Sequence, residues 1–281
     1  MKKDDRVRHE GVPAWGVGRV LEDPAAGKVR IFFSNVGIKT ISLLATIVIV
    51  KGADAMNPIL DNLKIGFPGQ ESSYKTLTAL KQQFLNEFPG GFHGDKYRLA
   101  ERNYKVEAHE LGKKLLSRAT FEKALSAKRF DELCENAKKV IQATNLVFPN
   151  EKMNFIDGLR KVPFQQEFCQ TLYDLLFGAG ALEARFMPFC QVLSEIGSPK
   201  WTVATYFPFI MYPDKYMFMK PLVTSKAADI CAFELNYKSE LNWLTYEKLL
   251  EFSQYLRKEL SDLNPRDMID VQSFIWCTGK A

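Results

Sequence analysis

The hydrophobic pattern of this chain changes period once, close to residue 55, and that change limits the folds open to it. Before it, Val29, Ile31 and Phe33 alternate with Arg30 and Phe32, which is the period-2 pattern of a half-buried strand. Similar short runs occupy residues 5–9, 16–20 and 37–41, with a last apolar run at 43–50 read as a closing strand. Pro24-Ala25-Ala26-Gly27 and Ser34-Asn35-Val36-Gly37 supply turns between them. Beyond Lys51-Gly52-Ala53-Asp54-Ala55-Met56-Asn57-Pro58 the period becomes about 3.6. Leu77, Leu80, Phe84 and Phe88 then share one helix face, with Ser72 or Ser73 as the cap and Pro89-Gly90-Gly91 as the stop. Further helices are expected over 97–118, 120–141, 164–177, 182–196 and 245–261. In the last of these Tyr246, Leu249, Leu250, Leu256 and Leu260 form the apolar stripe. The expected fold class is α+β: a small β-barrel module over residues 1–52, then a mainly α-helical domain over 58–281.

Charge is unevenly spread. Residues 1–52 hold nine Lys/Arg against five Asp/Glu, and residues 95–139 hold twelve against eight, in a chain of net charge +5. Two basic blocks suit a surface that follows phosphates, which makes DNA the expected partner. The five cysteines, Cys134, Cys169, Cys190, Cys231 and Cys277, are scattered and never form a C-x-x-C pair. Reduced thiols in a cytoplasm fit that spacing better than a disulfide framework. Met1-Lys2-Lys3 runs directly into Asp4 and Asp5, so no export signal is expected, and the run at 43–50 is far shorter than the ~18 residues of a membrane helix. A cytoplasmic protein without a membrane partner is the expectation.

Several chemistries lack their residues. Only His9, His93 and His109 are present, none with a cysteine or carboxylate at metal-ligand spacing, which argues against a zinc site. Neither G-x-x-x-x-G-K-[ST] nor G-x-G-x-x-G follows a strand, and no Glu-x-Lys tripeptide occurs. No metal or nucleotide cofactor is expected.

Four segments are chemically dense. A Pro89-Gly90-Gly91 loop between Phe88 and Phe92 opens onto a basic helix carrying Arg102 and Lys105, where the backbone can approach a phosphate; a plain helix stop explains the loop equally. In Phe148-Pro149-Asn150-Glu151, Asn150 suits an N-cap and Glu151 the first helical turn. Seven aromatics fall between Trp201 and Phe218, among them Tyr206 and Tyr212, with Lys215 and Lys220 alongside. Pro208 and Pro213 point to irregular chain there, and rings mixed with lysines suit a pocket for a flipped base as well as they suit a core. Near the C-terminus Pro265 suits a helix N1 position, Asp267 and Asp270 share a helix face, and Gln272 follows.

The runs of the first fifty residues resemble the Tudor/SH3-like module found at the C-terminus of UvrD/PcrA-type DNA helicases, and the related CarD-type modules. That resemblance covers about a fifth of the chain and implies docking on RNA polymerase or another partner of the DNA-processing machinery. The texture of residues 85–276, carried by Trp201 to Pro221, Asn242-Trp243 with Tyr246, and Asp267 to Trp276, resembles bacterial phage-defence proteins. It is similar in particular to defence DNA glycosylases that remove glucosylated hydroxymethylcytosine. On that reading Asp270 or Asp267 stabilises the positive charge that builds on the sugar, and Gln272 positions base or water. Trp201, Tyr206 and Tyr212 stack the extruded base, while Lys215, Lys220, Arg102 and Lys105 hold substrate phosphates. The competing expectation is a non-enzymatic reader of modified DNA, or an adaptor docking on RNA polymerase or repair machinery.

Overall fold

A computed structural model describes residues 1–64 and 74–280 of the chain. Five strands form first: β1 (Arg6–His9), β2 (Val17–Val20), β3 (Lys28–Phe33), β4 (Gly37–Ser42) and β5 (Ile47–Ile49). They pair antiparallel in the order β4-β3-β2-β1-β5. The sheet is open where a closed barrel was expected. β5 is three residues long and pairs with β1, so β4 and β5 remain edges.

Register sorts the side chains of this sheet onto two faces. Val7, Val20, Val29, Ile31, Phe33 and Ile41 gather on one of them as a core of their own, joined by Trp15 and Ile47. Gly18 makes room there, because a Cβ would stand 2.6 Å from the Ile31 side chain. The opposite face carries Arg6, Arg19, Val17 and Phe32. Val17 and Phe32 belong to the core of the helical body, and the Phe32 ring lies 5.2 Å from that of Tyr74. Arg19 Nη1 donates to the Leu60 carbonyl at 3.0 Å, and Arg6 pairs with Asp61 at 2.7 Å. The change of period marks where the secondary structure switches, yet buried contacts cross it.

The body runs α1 (Pro58–Asp61), α2 (Leu77–Glu87), α3 (Asp95–Tyr97), a π-helical turn (Arg98–Arg102), α4 (Asn103–Leu115), α5 (Arg118–Ser126), α6 (Phe130–Gln142) and α7 (Pro149–Gly158). It continues with α8 (Val162–Phe177), α9 (Leu182–Glu195), α10 (Trp201–Ala204), α11 (Tyr206–Met211), α12 (Pro221–Ile230), α13 (Trp243–Glu259) and α14 (Met268–Gly279). The Ser72 and Ser73 caps lie outside the described residues, and Thr76 caps α2 by accepting from the Ala79 N–H.

Three local expectations change. The tract from Trp201 is helical as far as Met211, because Pro208 is the third residue of α11, where its missing N–H has no helical acceptor to lose, and it is irregular only from Tyr212 to Lys220, around Pro213. α7 is capped at Phe148, with Pro149 first in the helix, so Asn150 sits inside the first turn. α14 starts at Met268, and its N-cap is Asp267, whose side chain accepts from the Ile269 and Asp270 N–H groups. Among the described residues, no helix is long and apolar enough to cross a membrane.

Candidate functional site

Two clusters of charge gather against helix α14, one at Asp270 near its start and one at Trp276 further along it. The first is closed. Asp270 is fully buried and accepts hydrogen bonds from the Tyr97 hydroxyl at 2.7 Å, Arg102 Nη1 at 2.8 Å, and the Arg266 N–H and Nε, each at 2.9 Å. Arg102 also grips Asp267 through two nitrogens, at 2.8 and 2.7 Å. Burial acts to raise the Asp270 carboxyl, but the Arg266 hydrogen bonds, the Tyr97 hydroxyl and the Arg102 charge prevail and hold it below the usual carboxylate range. Tyr97 is pushed the other way, by burial first and then by the Asp270 charge.

One helical turn on, Ser273 continues the layer. Its Oγ accepts from Lys105 Nζ at 2.9 Å, and Lys105 reaches Glu101 at 3.2 Å. The Lys105 side chain has no exposed surface, and burial brings its ammonium down to about 8 against the opposing pull of Glu101. The π-helical turn delivers Glu101 and Arg102 to this layer, a local irregularity often found at functional sites.

The second cluster begins at Trp276 and is half open. Lys220 Nζ lies 4.7 Å from the Trp276 ring centre and 4.3 Å from that of Phe148. Phe148 is 48% exposed at the N-cap of α7, and Trp276 is partly buried. Beside them Glu151 is fixed twice: Thr202 Oγ1 donates to its Oε2 at 2.7 Å, and the Phe148 N–H reaches the same oxygen at 3.4 Å. Burial lowers the Lys220 ammonium from its ordinary value, and the Glu151 and Glu101 carboxylates act against that fall. The result is a partly exposed cluster of two rings and an amine, with the charges of two carboxylates acting on that amine.

The residues singled out from the sequence divide among several places. Asp267, Asp270, Arg102 and Lys105 meet in the closed layer. Gln272 is buried one turn before Trp276, and its Oε1 has no hydrogen-bond partner. Lys220 belongs to the half-open cluster. Trp201 and Tyr206 stand in the core, where the Trp201 indole N–H donates to the Lys238 carbonyl at 2.8 Å and the Tyr206 hydroxyl to the Val140 carbonyl at 2.7 Å. Tyr212 and Lys215 form a separate surface pair, Nζ 5.8 Å from the ring. Sequence reasoning gave no functional role to Phe148, Thr202, Glu101 or Trp276, and it assigned Glu151 to capping alone. The signal that was available is the Glu151 carboxylate within a Phe-Pro-Asn-Glu turn, which does serve the cap while its other neighbours come from α10 and α12. Among the described residues no group of three or more His, Cys, Asp and Glu is placed to hold a metal ion.

The family model that matches this chain is described as a protein of unknown function (DUF3553) and covers residues 1–48. That match and the five-stranded antiparallel sheet fit a small SH3/Tudor-like module. No curated protein and no solved structure matches the chain.

Proposed function

We propose that this chain is a DNA glycosylase of phage defence, which extrudes a modified base of the glucosylated hydroxymethylcytosine type and hydrolyses its N-glycosidic bond. The observation that carries the reading is the Lys220 ammonium set between the Phe148 and Trp276 rings beside the anchored Glu151 carboxylate. Rings that hold a cation by their faces also hold a base by its face, and stacking of this kind contributes about 1–3 kcal/mol per base. Breaking the N-glycosidic bond builds positive charge on the sugar, which a fixed carboxylate stabilises. Glu151 and Glu101 are the carboxylates whose charges act on the Lys220 amine. Asp270, with both oxygens occupied by arginines and a tyrosine, anchors α14 against the π-helical turn instead. The basic surplus at residues 95–139 is the part of the helical body that favours a phosphate backbone as partner.

A second reading, an adaptor without chemistry, draws on the N-terminal sheet. Its edge strand β5 exposes Val48 and Ile49, and the preceding turn exposes Leu43 and Leu44, so a partner strand can be added there. Incubating the protein with glucosylated phage DNA and with unmodified DNA, followed by alkali, separates the two. Alkali-labile breaks confined to the modified DNA support the glycosylase; their absence from both, with a protein partner captured through residues 1–52, supports the adaptor.

A further inference from the structure

Tyr212 and Lys215 take no part in either cluster against α14, yet they belong to an arrangement of their own at the C-terminal end of α8. Two arginines reach the last carbonyls of that helix from different elements. Arg118, first in α5, donates through Nη2 to the Phe177 carbonyl at 2.8 Å, and Arg185 of α9 donates through Nη1 to the Leu175 carbonyl at 2.8 Å. Cations capping a helix end explain one N–H of each and leave the rest of both guanidiniums unused. Arg185 makes no ion pair among the described residues, and its Nε is buried without a hydrogen-bond partner. Arg118 is exposed and meets Glu122 only at 3.8 Å. Rings continue the arrangement. The Arg118 guanidinium lies 5.3 Å from the Phe177 ring centre, the Tyr212 ring stands edge-on to Phe177 at 6.4 Å, and Tyr216 follows Tyr212 at 6.1 Å. These three rings are partly exposed, and the exposed Lys215 places its Nζ 5.8 Å from the Tyr212 centre. Burial raises the Tyr212 hydroxyl from its ordinary value, while the Arg118 and Arg185 charges both act to lower it, so the two guanidiniums flank the same ring.

We propose that the face built by Arg118, Arg185, Phe177, Tyr212 and Lys215 is a binding surface for a single-stranded nucleic acid, separate from the cluster around Lys220. It shares no residue with that cluster and does not rest on the glycosylase reading. Three cations complement a run of phosphates, and two of them are guanidiniums whose planar forks suit phosphate oxygens. The rings decide between anionic partners. An acidic peptide satisfies the charges and leaves the rings without a planar partner, whereas a nucleotide strand offers a base to each ring and a phosphate to each cation. A duplex keeps its base faces inside its own stack, so rings of this kind favour a single strand. The carboxylates nearby are already engaged or peripheral. Glu122 accepts from the Tyr173 hydroxyl at 2.8 Å, which leaves Tyr173 at the margin of the face, and Asp214 acts on Tyr212 less strongly than either arginine's neighbour Arg118 does.

Fluorescence anisotropy tests this with the full chain titrated into labelled oligothymidylate, labelled oligouridylate and a labelled duplex of mixed sequence. A single strand should bind more tightly than the duplex, and the tighter of the two single strands identifies DNA or RNA as its source. Tyr212→Leu should weaken single-strand binding by a factor of about 5–150, the loss of one stacked base, while keeping the wild-type denaturation midpoint. Lys215→Gln, at an exposed position, should weaken binding less and reduce the log–log salt slope by about 0.7, the share of one phosphate on a single strand. Lys64→Gln removes the same charge from the Lys64–Asp229 pair elsewhere on the surface and should leave the affinity unchanged. Single strands bound no more tightly than the duplex, or an affinity indifferent to both Tyr212→Leu and Lys215→Gln, would overturn the proposal. Equal losses in Lys215→Gln and Lys64→Gln would overturn it too, by reducing the effect to net charge. Base release plays no part in this measurement, so the glycosylase reading can fail while the binding surface stands, and the reverse.

Discussion

Two charged clusters gather against α14, at Asp270 and at Trp276, and are built on opposite principles. Around Asp270 every oxygen has a donor, the partners are arginines and a tyrosine, and the carboxylate has no exposed surface. Around Lys220 the amine is only half-buried, faces two rings and has no ionic partner among the described residues. A saturated network fixes geometry; an incompletely matched one retains the capacity to bind or react. Pairing, more than burial, separates the two, since Lys105 is more deeply buried than Lys220 yet belongs to the saturated side.

The comparison is most exposed at Asp270. Asp270→Asn leaves Arg266 and Arg102 facing a neutral amide, and breaking a buried ion pair on one side costs about 3–5 kcal/mol. Urea denaturation should show that loss; a cost below about 1 kcal/mol would mean that the network does not anchor α14.

Lys105 sharpens the same contrast through pH. Its folded value of about 8 lies below the ordinary 10.5, so between those values the unfolded chain holds a proton that the folded chain has released. Stability attributable to this residue therefore rises with pH across that window, and the penalty for burying the charge is complete below it. The full change corresponds to about 3 kcal/mol. Lys105→Met should remove this slope, measured as the difference between wild-type and variant stability from pH 8 to pH 10.5. Parallel curves would show that Lys105 is not desolvated as described.

Asp267→Ala should cost less, about 0.5–2 kcal/mol, because it removes an N-cap while Arg102 keeps Asp270. A loss as large as that of Asp270→Asn would make the two aspartates one indivisible unit. At the half-open cluster Phe148→Ala should change stability least, within about 0.5 kcal/mol for an exposed side chain. A larger loss, seen by the same denaturation measurement, would move Phe148 from the site into the core.

How much of this was legible depends on how far apart in sequence the contacting groups lie. The alternation of Val29, Ile31 and Phe33 with Arg30 and Phe32 located β3 and the side of it that forms the module's core, since strand periodicity is local. Closure was not legible, because it depends on how long β5 runs and what it pairs with. Pro208 suggested a break from its residue type, but its effect depends on its place in the helix, and in the first turn it is tolerated. Asp267 and Asp270 do share a helix face, as their spacing indicates. What occupies that face, Tyr97 and Arg102, arrives from more than 160 residues away, and nothing in a helical period reports it. Glu151 shows the same limit: the cap is local and readable, whereas Thr202 reaches it, and its charge acts on Lys220, only through the fold.

The most direct test sets one residue of each cluster side by side in a single-turnover measurement of base release from glucosylated phage DNA, counted per folded molecule. Phe148→Ala should slow release by a factor of about 5–150, the equivalent of about 1–3 kcal/mol of lost stacking, with its stability intact. Asp270→Asn, assayed at a temperature where it remains folded, should release bases at close to the wild-type rate. A normal rate in Phe148→Ala together with a dead but folded Asp270→Asn would contradict the account and return the chemistry to the closed network.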